Sequence, residues 1–138
     1  MIDNIDKIII NKLAEDSTTS INNIAKTCRV SRGTIRLRIK KLIEAGIIAG
    51  YNANIRYQNI GMTESILGLD IAPESYIAVL DSLKKLEFVK HLYRTSGDHA
   101  AIAIIVSDSN MIDKNIEILK NIKGIKNIYP AFIQEILK

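Results

Sequence analysis

The second half of this chain repeats itself. The stretch "LKKLEFVKHLY" (Leu83–Tyr93) aligns without gaps on "LKNIKGIKNIY" (Leu119–Tyr129), at an offset of 36 residues. At the same offset the apolar run Ile66–Ile71 falls on Ile102–Ser107. In the first copy, "ESILGLDI" reads as a strand and Pro73 marks a helix start. Ile77, Leu80, Leu83 and Leu86 follow at helical spacing, and "FVKHLYR" is the next strand. In the second copy, "AAIAIIV" is the strand and Asp108 or Ser109 can cap the helix carrying Ile112, Ile116, Leu119 and Ile122. "IKNIYPAFIQEIL" closes the copy. Two strand-helix-strand units in tandem give β-α-β-β-α-β, a ferredoxin-like arrangement in which right-handed crossovers place both helices on one sheet face. The strands "ILGLDI" and "AIAIIV" are apolar on both alternating faces. The second face is therefore expected to be buried too, with a partner subunit as its simplest cover.

The first third has a different period. Asp3 is placed to cap a first helix, with Asp6 three residues on and Ile5, Ile8, Ile9 and Leu13 at helical spacing. "AEDSTTS" breaks that pattern, and Ser20 can cap a second helix running to about Cys28. "RVS" is the next break, and Ser31 can cap a third helix that Gly46 ends. Beyond it, Ile47, Ile48, Tyr51, Ile55 and Tyr57 suit one or two short strands and a connector, punctuated by Gly50 and Gly61. The fold class is thus α+β. A winged-helix-like helix-turn-helix is expected over residues 1–52, a connecting segment over 53–63, and the ferredoxin-like domain over 64–138.

Charge separates the two parts. Residues 1–57 hold ten Lys/Arg against five Asp/Glu, whereas residues 58–138 hold nine against ten. Such asymmetry points to a polyanion as partner of the first part. The single cysteine, Cys28, lies on the apolar pattern of Ile21, Ile24 and Ala25 and reads as a small core residue. With no disulfide framework, signal sequence or membrane-length apolar run, a reducing, cytoplasmic setting is expected. No Cys/His/Asp group has metal-ligand spacing, and no phosphate loop or nucleophile motif occurs, so neither metal nor cofactor is expected.

The third helix concentrates the charge. With Ile35 as origin and 100° per residue, Ile39, Leu42 and Ile43 lie within about 80° of it and form a core face. Gly33, Thr34, Arg36, Leu37, Lys40 and Lys41 fall between about 100° and 260°, the opposite face, with Arg32 and Arg38 at its edges. The only acid, Glu44, comes at the far end. Guanidinium groups so placed can pair with phosphates or with guanine O6/N7. The expected ligand is double-stranded DNA, contacted by Arg32, Gly33, Thr34, Arg36, Arg38, Lys40 and Lys41. Arg32, Thr34 and Arg36 are the candidates for base reading.

Taken in order, these segments resemble the leucine-responsive regulatory protein/AsnC (Lrp/AsnC) transcription regulators over nearly the whole chain. The residues that carry the resemblance are "IDNIDKIIINKLAED", "SINNIAKTCRVSRGTIRLRIKKLIEAGIIAGY", "FVKHLYRTSGDH" and "IKGIKNIYPAF". The resemblance implies a helix-turn-helix joined to a domain that forms homodimers, tetramers or octamers. It also implies an effector, commonly an amino acid, sensed near a glycine turn. Carried over, Ser31, Arg32, Thr34, Arg36 and Arg38 match positions of the family's DNA-facing helix, and the effector turn is Gly97, Asp98 and His99. Two departures stand out: Ser31-Arg32-Gly33 replaces a common Ser-Pro-Ser, and Ala100 occupies the place of the acid in the family's Gly-x-x-Asp.

Two other readings remain. An architectural DNA-binding protein without effector would bind by charge, with a steep salt slope. An enzyme of the AsnC-like sirohaem decarboxylase branch shares the architecture but has no need of a cationic third helix. An RNA-binding sheet would require exposed aromatics on its central strands, and that signature is missing.

Overall fold

The computed structural model describes residues 1–138, which divide into two compact units, Met1–Asn54 and Ile55–Lys138. The first is three helices: α1 (Asn4–Glu15), α2 (Ile21–Cys28) and α3 (Arg32–Glu44). Each starts at a side-chain cap. The Asp3 carboxylate accepts from the Asp6 N–H at 2.9 Å and the Asp6 carboxylate accepts from the Asp3 N–H at 3.1 Å, a reciprocal capping box. Ser20 Oγ accepts from the Asn23 N–H, and Ser31 Oγ from the Thr34 N–H, each at 3.1 Å. Between α2 and α3 the chain turns through Arg29, which sits in the left-handed region (φ 57°), and the Val30 N–H returns to the Ala25 carbonyl at 3.1 Å. At the end of α3, the Gly46 N–H donates to the Ile43 carbonyl and the Ile47 N–H to the Leu42 carbonyl, both at 2.9 Å. With Gly46 at φ 72°, this is a Schellman ending, and the positive φ is why glycine stands there.

The core of this unit is small. Ile9, Ile24, Ala25, Ile35 and Leu42 are buried, and Ile39, Cys28, Val30 and Ile48 pack half-buried against them. Ile43, expected among the core residues, is instead 47% exposed, because Ile35, Ile39 and Leu42 already fill the contact with α1 and α2. The strands expected beyond Gly46 do not form. Ile48 folds back, its N–H reaching the Leu42 carbonyl at 3.2 Å, and Tyr57–Ile60 makes a 3-10 turn.

The second unit contains β1 (Met62–Ile71), α4 (Tyr76–Lys84), β2 (Val89–Arg94), β3 (Ala101–Asp108), α5 (Ile112–Lys120) and β4 (Ile125–Phe132). The four strands form one antiparallel sheet in the order β2-β3-β1-β4, the ferredoxin-like order. The internal repeat is exact at the helices: α5 follows α4 at the same 36-residue offset. Register puts Leu67 opposite Ala103 and Pro130, and Gly68 opposite Ile102 and Tyr129. Leu67, Leu69 and Ile71, with Ala101, Ala103 and Ile105, face the helices. They meet Val79, Leu80 and Leu83 of α4 and Ile112, Ile116 and Leu119 of α5. β4 is an edge strand, which is where a proline such as Pro130 is tolerated.

Three local expectations change here. Pro73 opens a 3-10 turn, Pro73–Ser75, before the α-helix proper. The apolar stripe of α4 is then Tyr76, Val79, Leu80 and Leu83, and Ile77, one residue off that stripe, is 65% exposed. α5 has no side-chain cap, because Asp108 still belongs to β3 and Ser109 Oγ is taken up by Thr63 Oγ1 at 2.8 Å. The two buried serines are satisfied without water: Ser65 Oγ donates to the Ala131 carbonyl, and Ser107 Oγ accepts from Asn115 Nδ2.

Candidate nucleic-acid interface

The turn at Arg29 and the cap at Ser31 fix where α3 begins, and the burial of Ile35 and Leu42 fixes which way it faces. Arg32, Gly33, Arg36, Leu37, Lys40 and Lys41 are consequently exposed on its outer side. Arg32, Arg36 and Lys41 form no salt bridge, whereas Lys40 lies 3.9 Å from Glu44 one turn on, an exposed pair of little strength. Ser31 and Thr34 are engaged with each other: besides the cap bond, their hydroxyls stand 2.9 Å apart. A Cβ on Gly33 would meet nothing closer than Ser31 Oγ at 3.9 Å.

Arg38 departs from the expected set of outward cations. Its Nη1 contacts Asp3 Oδ2 at 2.7 Å, Asp3 Oδ1 at 2.8 Å and Asp6 Oδ1 at 3.0 Å. The guanidinium thus seals the capping box of α1 and ties α1 to α3. The Arg38 hydrogen bond, helped by the Asp6 N–H, holds the Asp3 carboxyl below its ordinary 3.8, and the two aspartates raise Arg38 further above its usual range. Asp6, read from sequence only as a favourable charge near a helix start, is buried by this contact.

In the second unit Gly97 (φ 101°) and Asp98 form an exposed turn between β2 and β3. Thr95 Oγ1 donates to the His99 carbonyl at 2.7 Å and closes the turn. His99 does not point out with Asp98. Its ring lies over Gly68, where a Cβ would come within 2.5 Å of it, with Nδ1 3.2 Å from Asp70 Oδ1 and the ring centroid 5.0 Å from that of Tyr129. Gly68, Asp70 and Tyr129 were not singled out from sequence. The signal available was a glycine and an acid two residues apart inside an aliphatic strand. This is the sheet face away from α4 and α5, and Ile66, Tyr93 and Tyr129 are exposed on it. No helix is long and apolar enough to cross a membrane.

Three capped helices, a tight turn before the third and a cationic outer face define a helix-turn-helix module. Residues 2–49 match the family model for winged helix-turn-helix DNA-binding domains. LrpA of Pyrococcus horikoshii, an HTH-type transcriptional regulator, is 38% identical over 141 aligned residues that span 100% of both chains. The chain belongs to the Lrp/AsnC family of DNA-binding transcription regulators. Solved structures agree in fold. Escherichia coli AsnC superposes with a TM-score of 0.75 at 24% identity, over 100% of this chain and 95% of that one. A transcriptional regulator of Neisseria meningitidis in complex with L-methionine gives 0.80 at 18% identity, over 100% of this chain and 93% of that one.

Proposed function

We propose that this protein regulates transcription by placing α3 in the major groove of specific DNA sites, as a homodimer or a larger assembly. The carrying observation is the outer face of α3, where Arg32, Arg36 and Lys41 stand exposed without acidic partners on a helix locked by its caps. Arg32 and Arg36 read bases, with Thr34 beside them. Lys40, Lys41, Gly33 and the Ser31 end of the helix position the backbone of the duplex. Arg38 acts from behind as the brace that holds α3. The second unit joins copies through the open sheet face, whose exposed Ile66, Tyr93 and Tyr129 need cover. Paired α3 helices then meet half-sites about one helical turn, or a multiple, apart.

Regulation comes through a small molecule, with an amino acid favoured by the L-methionine complex of the N. meningitidis protein. Gly97 and Asp98 offer the exposed groups for it, while His99 is drawn onto the sheet. The protein works in the cytoplasm and is no enzyme. The relatives are named as regulators, and of the two histidines His91 is exposed on an edge strand while His99 is held by Asp70.

Selection from random duplex DNA at physiological salt tests the reading. A recurrent sequence with two related half-sites is expected, and Arg36→Ala weakens binding to it by about 1–3 kcal/mol while relaxing one position. Equal binding to every duplex, with a steep salt slope only, would leave an architectural protein in its place.

A further inference from the structure

Leu37 is the one large apolar side chain in the middle of the outer face of α3, and it is 53% exposed. Gly33 and Thr34 precede it by one turn, and Lys40 and Lys41 follow by one turn, so it shares their side of the helix. A leucine held in water costs free energy unless it meets an apolar surface when the helix is in use. It also borders an open groove of about 480 Å³ between the start of α1 and α3, whose lining includes Ile2, Thr34, Lys41 and Ile47 beside the Arg38–Asp3–Asp6 cluster. The surrounding charge selects among the surfaces that could cover it: Arg36, Lys40 and Lys41 flank it, and a polyanion satisfies all of them at once. On the floor of the major groove the apolar feature is the 5-methyl group of thymine.

We propose that Leu37 reads a thymine methyl, so that each half-site carries an A·T pair with its thymine at the position this side chain reaches. The inference rests on the reading of α3 as the helix that enters DNA, and adds to it a sequence preference at one base step. Gly33 contributes by its lack of a side chain, which lets the first turn of α3 approach while Leu37 meets the methyl group.

The test compares the selected duplex with versions in which single thymines are replaced by deoxyuridine, which removes the methyl and nothing else. For the full chain, a single replacement at that position is expected to raise Kd about fourfold, the scale of one buried methyl group. With Leu37→Ala the same duplexes should bind equally well, and Leu37→Met should restore the difference. If every deoxyuridine duplex binds the native protein as well as its thymine parent, or if Leu37→Ala keeps the same ratio, the inference is overturned and the DNA reading stands. A Leu37→Ala protein that changes its sedimentation but not that ratio would place Leu37 against another subunit and also overturn it. Failure to select any duplex would remove the DNA reading and this inference together.

Discussion

The two units solve the same problem with different means. Met1–Asn54 buries five hydrophobic residues around three short helices and carries nine basic against five acidic side chains. Ile55–Lys138 packs twelve into the core between its sheet and two helices and is balanced, ten against ten. A small core leaves little margin, so the first unit leans on local devices: three caps, a Schellman ending and the Arg38 brace. The second leans on packing, and α4 and α5 begin without any side-chain cap bond. Local devices suit a module whose outer surface is committed to charge, because they stabilise it without requiring more apolar surface.

The two units separate most clearly at their cores. Ile35→Ala should cost about 2–5 kcal/mol. In the first unit that is enough to lose its fold and DNA binding while the amide protons of the sheet keep their slow exchange. Equal loss of protection in both units would mean that they fold as one. Gly68→Ala, at about 1–3 kcal/mol, strikes the other unit by driving a methyl group into the His99 ring. Denaturant melts should show the loss, with the tilted His99–Tyr129 contact gone from the spectrum of the aromatic protons, and the exchange of α1–α3 unchanged.

Arg38→Ala should lower the melting temperature of the first unit by about 5 °C and leave the second unit alone. The sign with pH follows from Asp3. Its carboxyl is lowered in the fold, so its stabilisation is complete above its ordinary 3.8 and disappears as pH falls through the lowered value. Acid should therefore loosen the contact between α1 and α3, and Arg38→Ala should shrink that acid-sensitive component in a melt followed against pH to the part the Asp6 N–H supports. At the small end, Glu44→Gln removes an exposed partner 3.9 Å from Lys40 and should leave the melting temperature unchanged. The same substitution steepens the salt dependence of DNA binding only slightly.

Periodicity carried most of the fold. The 36-residue repeat foretold both helices of the second unit and all four strands, because a tandem pattern constrains every element twice. The caps at Asp3, Ser20 and Ser31 were legible since each needs only an oxygen at one position. What was not legible depended on distant partners. Nothing near Arg38 in sequence announces Asp3 and Asp6, 35 and 32 residues away. His99 reads as part of a turn until the register of β1 brings Gly68 and Asp70 beneath it. Ile77 and Ile43 fit a helical spacing as well as the residues that were buried, and only the available neighbours decide between them.

Pro130 shapes the border of the sheet. A proline in a border strand contributes no N–H, so the sheet offers an interrupted row of donors along that side to any strand arriving there. Growth by adding strands edge to edge, the route to fibres, is obstructed on that flank. Stacking broad surface on broad surface is left open.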